Sequence, residues 1–242
     1  MGIDYQWDLV QNTEEWFVAR RGLITASAMK GLITGKKLEI ANNATSRGIV
    51  HKLAAERITE YAEEEYQSWD MRRGHKEEVL AKQLYSKRYA QVKDCGFITN
   101  DELGFKIGGS PDGLVGDDGG VEGKSRNNKY QVETILADVV PSEFMVQIQG
   151  LMLVSGRDWW DFISYSNGMH MFVKRVTPIA EVQTALKEAI KVTEEKIEKA
   201  IEQYKELVKD LPLADRIDVM AEESGDVKPS TQEAPESVYM AG

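Results

Sequence analysis

Asp112, Glu122 and Lys124 are the residues of this chain whose types and spacing could do chemistry. Asp112 sits in Ser110-Pro111-Asp112-Gly113-Leu114, and Glu122-Gly123-Lys124 follows after a turn. Between them, Gly116-Asp-Asp-Gly-Gly120 is a strong hairpin signal. Residues two apart on a strand share a face, so Glu122 and Lys124 project together from a predicted strand over 121–124. The hairpin can bring Asp112, at the end of the preceding strand, alongside them. Two adjoining carboxylates repel unless a cation joins them. Oxygen donors with no His or Cys nearby suit Mg²⁺ or Mn²⁺ rather than zinc. A lysine beside such a cation can orient or help deprotonate an attacking water and balance charge at a phosphate. This is the chemistry of metal-assisted phosphodiester hydrolysis. Singly, the pieces are common. Glu-x-Lys recurs at Glu194-Glu195-Lys196 on a predicted solvated helix face, and Pro-Asp-Gly is a frequent turn. Together they are more specific, because Pro-Asp occurs once in the chain and the separation fits one hairpin.

The elements that must position these residues are legible in outline. Asn12-Thr-Glu-Glu-Trp16 reads as a capped helix start with acids in the first turn, and Gly22 ends that helix after Arg21. A short helix is expected from Thr25-Ala-Ser27, where Ser27 can serve simply as a cap, and a long one over 43–64. Another follows Gly74 through Glu78, Ala81 and Tyr85. Strands are expected over 96–100, 104–110, 121–124, 158–164 and 169–177, the last two joined by Asn167-Gly168, with a helix over 142–154. Of Trp159 and Trp160, one should face the core. Val182, Leu186, Ile190, Ile197, Ile201, Tyr204 and Val208 recur at helical spacing and predict a helix over 179–209, with polar Thr193 on its apolar stripe. The result is an α+β domain in α/β/α layers, with a mixed central sheet flanked by helices. It occupies 1–213: a helix-rich part over 1–90, the sheet and its helices over 91–178, and the long helix. From 214 to 242 the chain turns Pro-, Ser- and acid-rich and reads as a flexible acidic tail.

Composition narrows the function classes. With 242 residues, 42% hydrophobic and 29% charged, a core can form beneath a solvated surface. No apolar run reaches the ~20 residues of a membrane helix. The N-terminus lacks a signal-peptide pattern, and Gln6 breaks the myristoylation pattern that Gly2 begins. A single cysteine, Cys95, excludes an intramolecular disulfide and suits the cytoplasm. The net charge of −10 argues against nucleic-acid binding only at first sight, because 210–242 carries eight acids and two bases and leaves −4 on the rest. His51, His75 and His170 have no partner cluster and read as surface or packing residues.

Pro111-Asp112, nine intervening residues and Glu122-Gly123-Lys124 resemble the PD-(D/E)XK nuclease core, a restriction-endonuclease-like fold. Trp16-Phe-Val-Ala-Arg20-Arg-Gly22-Leu-Ile-Thr25-Ala-Ser27 resembles the N-terminal signature of the lambda-exonuclease-like, YqaJ-type viral recombinases. Gly74-His-Lys-Glu-Glu78, Gly109-Ser110-Pro111-Asp112-Gly113-Leu114 and Gln147-Ile-Gln149 resemble further blocks of that family, in the expected order. Ser125 departs from the family's usual context after the lysine.

The resemblance implies a Mg²⁺-dependent 5′→3′ exonuclease on linear double-stranded DNA, releasing mononucleotides and leaving a 3′ overhang for single-strand annealing recombination. Asp112, Glu122 and the Gly123 carbonyl would hold metal, with Glu78 as a further carboxylate. Mn²⁺ could substitute, and two ions per site are implied. Lys124 would position the water and Gln147 would support the site. Arg20, Ser27 and Ser110 match positions that hold the 5′-phosphate at the blind end of the DNA channel. Glu78 is favoured over Glu77 by its spacing from Gly74, and Arg20 over Arg21 by alignment from Trp16. Gln147 and Gln149, on different helix faces, both remain open. The family also implies a homotrimeric ring, a single-strand annealing partner and, for a phage protein, the host cytoplasm. The competing readings are a structure-specific or restriction-like endonuclease and a non-catalytic DNA-end-binding scaffold.

Overall fold

The computed structural model describes residues 2–34, 37–63 and 69–216. Its contacts divide the chain into one unit of Met1–Lys205 and another of Glu206–Gly242. Most of the expected acidic tail, from 217 onward, lies outside the described residues.

The first unit begins with β1 (Ile3–Gln6), which the sequence pattern did not announce. Helix α1 (Glu14–Arg20) starts as expected, but Thr13 rather than Asn12 caps it, accepting the Trp16 N–H at 3.4 Å. Glu14 and Glu15 then lie at the positive end of the helix dipole. Gly22, at φ +68°, turns the chain into β2 (Ile24–Thr25). The expected short helix is α2 (Ala26–Met29), whose N-cap position is Thr25, so Ser27 lies inside the helix and does not cap it. Helix α3 (Ala44–Thr59) opens with an Asn43–Ser46 capping box and stops five residues earlier than expected, at a left-handed Glu60. Helix α4 (Trp69–Arg88) begins before Gly74, which therefore lies inside the helix instead of preceding it.

Short strands β3 (Val92–Lys93), β4 (Phe97–Asn100), β5 (Ile107–Gly109) and β6 (Gly113–Val115) lead into β7 (Gly119–Ser125). Helix α5 (Asn128–Ala137), which was not anticipated, and α6 (Ser142–Ser155) connect β7 to its parallel neighbour β8 (Trp159–Tyr165). Two parallel neighbours need such a crossover. Strand β9 (Phe172–Val176) and helix α7 (Ala180–Leu207) follow. Among the described residues the strands form two mixed sheets, ordered β1-β4-β5-β2 and β3-β6-β7-β8-β9, of which the five-stranded one is the central sheet flanked by helices.

The five-stranded sheet is layered α/β/α by strict alternation. From β8, Trp160 and Phe162 join the larger core with Ile148 and Leu151 of α6, while Ile163 packs with Ala81 and Tyr85 of α4. Trp160 is the core-facing tryptophan, fully buried, and Trp159 lies beneath Arg175. The broad indoles fit because they stand opposite glycines: Trp159 pairs with Gly119 and Trp160 with Gly120. A Cβ on either glycine would come within 2.0–2.4 Å of an indole ring. The Gly-Gly pair that read as turn thus belongs to β7, and the turn proper is Gly116 to Asp118. Helix α7 buries Val182, Leu186, Ile190 and Ile197 against its own chain. Thr193 is tolerated on that stripe because its hydroxyl donates to the Ala189 carbonyl at 2.7 Å. Arg57 of α3 adds paired hydrogen bonds of 2.6 and 2.9 Å to Glu194. Cys95 is a free thiol and is buried.

Asp161 holds a polar cluster between α4 and β9. The fully buried Tyr85 hydroxyl donates to its Oδ2 at 2.6 Å, and Arg175 Nε and Nη2 donate to its two oxygens, each at 2.9 Å. Asp161→Ala strands the Tyr85 hydroxyl and is expected to cost about 2–4 kcal/mol. The check is urea unfolding, in which the midpoint should fall at constant m-value.

Candidate active site

Glu122 and Lys124 lie two apart on β7, as the hairpin reading expects, but Asp112 lies in the link between β5 and β6, just before the hairpin arm β6, rather than at the end of the preceding strand. The Gly123 N–H donates to Asp112 Oδ2 at 2.7 Å, which clamps the aspartate over the strand. Glu122 is 1% exposed, so its contacts are decisive. Its Oε1 accepts Lys124 Nζ at 2.6 Å and Gln147 Nε2 at 2.5 Å. Its Oε2 is buried with no hydrogen-bond partner among the described residues. Gln149, by contrast, spends its side chain on the Thr177 carbonyl, the Ile179 N–H and Gln183, so α6 turns Gln147 to the site and Gln149 away from it.

Helix α4 presents Glu78 toward Asp112, with Lys82 paired to it at 3.3 Å. Glu77 points elsewhere and accepts the Ser125 hydroxyl at 2.6 Å. Arg73 donates to Ser125 at 3.3 Å and to Asn127 at 2.8 Å, a polar network that occupies the position where this chain departs from the family pattern.

The electrostatics are those of a crowded anion cluster. Burial first, and then the charge of Asp112, push the Glu122 carboxyl up to about 8 and the Glu78 carboxyl up to about 7. Burial would lower the Lys124 ammonium, but Glu122, Asp112 and Glu78 outweigh it and raise it. Among the described residues no three acidic, His or Cys side chains already form a closed cation cage. Asp112 and Glu122 nevertheless fit a hard cation: the orphaned Glu122 Oε2 is a buried acceptor awaiting a partner, and the donors are all oxygen. A raised carboxyl favours the protonated folded state. Metal-free stability is therefore expected to fall as pH rises from the ordinary carboxyl value near 4.5 through 7 and 8. Added Mg²⁺ should restore it most at the alkaline end, and melting curves with and without chelator across that range check this.

A cleft of about 420 Å³ runs from this cluster to the residues around α1. Glu78, Asp112, Gly123, Lys124 and Gln147 line one end, and Arg20, Ser27 and Ser110 line the other, while Glu122 lies beneath the floor. Of the candidate residues, all but Gln149 thus line one cleft or, like Glu122, bond to residues that do. Trp16, which sequence reasoning left unassigned, organises the far end. Its indole N–H donates to Ser110 Oγ at 3.0 Å and to the Gly96 carbonyl at 3.1 Å, and the Arg20 guanidinium stacks 4.0 Å from its ring. The four-residue spacing of Trp16 and Arg20 on a helix is the signal that could have found it. Arg21 turns away and donates to the Glu60 carbonyl. A second cavity, of about 540 Å³, also has Arg20, Ser27 and Trp16 in its lining.

A PD-Xn-EXK carboxylate–lysine centre on a mixed sheet, backed by helices on both faces, defines a nuclease of the PD-(D/E)XK class. Within that class the chain belongs to the family of the YqaJ-like viral recombinase domain, whose model matches residues 15–158. The structure is similar to that of an alkaline exonuclease, LHK-Exo, from Laribacter hongkongensis, at 29% identity and a TM-score of 0.73, over 83% of this chain and 100% of that one. The same figures hold for LHK-Exo in complex with dAMP. A phage-related exonuclease from Haemophilus somnus 129PT shares the fold at 14% identity and a TM-score of 0.56, over 75% of this chain and 96% of that one. Among curated proteins, none matches this chain.

Proposed function

We propose that the chain is a metal-dependent exonuclease that digests the 5′-terminated strand of linear double-stranded DNA, releases mononucleotides and leaves a 3′ overhang. One observation carries the reading: the Asp112–Glu122–Lys124 centre shares its cleft with a pocket of Arg20, Ser27 and Ser110. A guanidinium and two hydroxyls suit the oxygens of a terminal phosphate. Family membership and the likeness to LHK-Exo support the same direction.

In this reading Arg20, Ser27 and Ser110 anchor the 5′-phosphate, and the next phosphodiester lies at the carboxylates. Asp112, Glu122 and the Gly123 carbonyl, with Glu78 nearby, would hold two Mg²⁺ ions, which would supply Lewis-acid stabilisation of the phosphate and a more acidic water. Mn²⁺ is the natural substitute. Lys124, fixed by Glu122, orients the attacking water, and Gln147 keeps Glu122 in place. The P–O3′ bond breaks, and the 3′ oxygen leaves with a proton. A homotrimeric ring around DNA, a single-strand annealing partner and action in the host cytoplasm complete the proposal.

The test is digestion with Mg²⁺ of linear duplexes carrying 5′-phosphate or 5′-hydroxyl ends, beside closed circles. Fast, strand-selective loss from 5′-phosphorylated ends is expected. Equal cutting of circles would replace the proposal with an endonuclease, and end binding without cutting under any metal would replace it with a scaffold.

A further inference from the structure

We infer that Gln11 is a positioning residue for the metal centre: its amide fixes the peptide that joins Pro111 to Asp112, and with it the place from which Asp112 meets the cation. The inference rests on the proposed metal-dependent reading and adds to that site a residue one hundred positions before Pro111.

Asp112 stands in a short link, Ser110 to Asp112, between β5 and β6. A ligand on a link is only as well placed as whatever holds the link, and a working site tolerates an error of about 0.5 Å. Pro111 fixes one backbone angle, because its ring locks φ. Two side chains from the N-terminal segment supply more. The Trp16 indole donates to Ser110 Oγ at 3.0 Å, and Gln11 Nε2 donates to the Pro111 carbonyl at 2.9 Å. That carbonyl belongs to the planar peptide unit that ends at the Asp112 Cα. Any rotation of the unit would swing the Asp112 side chain, and the Gln11 bond resists it. The carboxylate is gripped from the other side, where Oδ2 accepts the Gly123 N–H at 2.7 Å. Gln11 thus holds the main chain of the ligand and β7 holds its tip.

Gln11 is itself well placed to do this. Leu9 lies so close to Gly96 that a Cβ on the glycine would come within 1.7 Å of the Leu9 carbonyl oxygen. Thr13 Oγ1 donates to the Val10 carbonyl at 2.9 Å. Between Gln11 and Thr13, Asn12 takes the left-handed region at φ +66°, where asparagine is enriched among non-glycine residues. Such a conformation persists where its surroundings over-determine it. The half-buried Gln11 side chain lines the cleft together with Asp112, Gly123 and Lys124, so it acts on the site from within the cleft and not from the core.

The experiment titrates Mn²⁺ into the DNA-free protein and reads the free ion by electron paramagnetic resonance, for wild type, Gln11→Met and Gln11→Asn. The first variant keeps the length of the side chain and removes the donor. The second keeps the amide and withdraws it by one methylene. Each should weaken Mn²⁺ binding about tenfold, as for residues that orient a metal ligand, while melting in chelator stays within about 4 °C of wild type. In digestion of a blunt 5′-phosphorylated duplex, the Mn²⁺ concentration for half-maximal rate should rise by the same factor, and the rate at saturating Mn²⁺ should return to within about threefold of wild type. Wild-type Mn²⁺ affinity in both variants overturns the inference and leaves the metal centre standing. So does a rate that stays low at saturating Mn²⁺ with affinity unchanged, which makes Gln11 a substrate contact. Wild-type protein that binds no Mn²⁺ overturns the metal-dependent reading and this inference with it.

Discussion

Asp112→Asn is expected to reduce hydrolysis by ~10³-fold or more while making the metal-free protein more stable. The loss follows from the removal of one of two carboxylates that fit the cation and from a changed charge at the centre that Lys124 must balance. The gain follows from the same charge. Asp112 is the largest source of repulsion felt by both Glu78 and Glu122, ranking behind only burial in displacing each of them. An asparagine keeps an oxygen to accept the Gly123 N–H that now bonds Asp112 at 2.7 Å, so the local backbone need not shift. Relief of about 1 kcal/mol would raise the melting temperature by roughly 2–4 °C for a chain of this size. Active sites are places where stability is commonly given up for chemistry. Single-turnover hydrolysis and melting in chelator check the two halves separately. A lower melting point in chelator would show that the anion cluster stabilises the fold by itself.

Arg20→Ala should weaken digestion of 5′-phosphorylated ends about 10- to 100-fold and leave 5′-hydroxyl ends nearly unchanged, which erases the preference between them. The size is that of a charge-assisted hydrogen bond of about 1.5–3 kcal/mol, converted to a rate or affinity ratio. Arg20→Lys should recover only part, because an ammonium neither forks to two phosphate oxygens nor stacks as a guanidinium does. The stacking matters here because the guanidinium lies 4.0 Å from the Trp16 ring and that indole is pinned to Ser110. Trp16→Phe, which removes the indole N–H, is then a milder version of the same defect. Matched time courses on the two end types give the ratio directly. A variant slowed equally on both ends would place Arg20 in the general DNA contact rather than at the terminal phosphate.

The centre of this site was legible in sequence because its residues are local. Glu122 and Lys124 lie on one arm of a hairpin and Asp112 immediately precedes the other, and period-two geometry settles that Glu122 and Lys124 share a face. The choice of Glu78 over Glu77 followed from spacing and agrees with where α4 directs each side chain. Gln147 and Gln149 could not be separated, because which face of α6 meets the sheet depends on a crossover through α5 that the pattern did not reveal. The missed strands β1, β2, β3 and β6 have two to four residues each, and the first three are held by partners far along the chain, such as Ile3 opposite Asn100. No local periodicity can announce them. Trp16 was visible as a residue, but its role depends on reaching Ser110 and Gly96, both more than seventy positions away.

The pairing of Gly119 and Gly120 with Trp159 and Trp160 has a consequence for how such a site can change. A slip of one residue between β7 and β8 would exchange the faces of the strand, carrying Glu122 toward α4 and bringing Val121 to the cleft. The indoles forbid it, since only the two glycines leave room for rings that would otherwise meet a Cβ within 2.4 Å. The four residues act as a key in its slot. They never meet the substrate, yet they fix where the carboxylate stands. A bulkier residue at 119 or 120 could therefore be accepted only together with a smaller one at its partner, so the pairs are expected to drift in concert while the acid they align stays fixed.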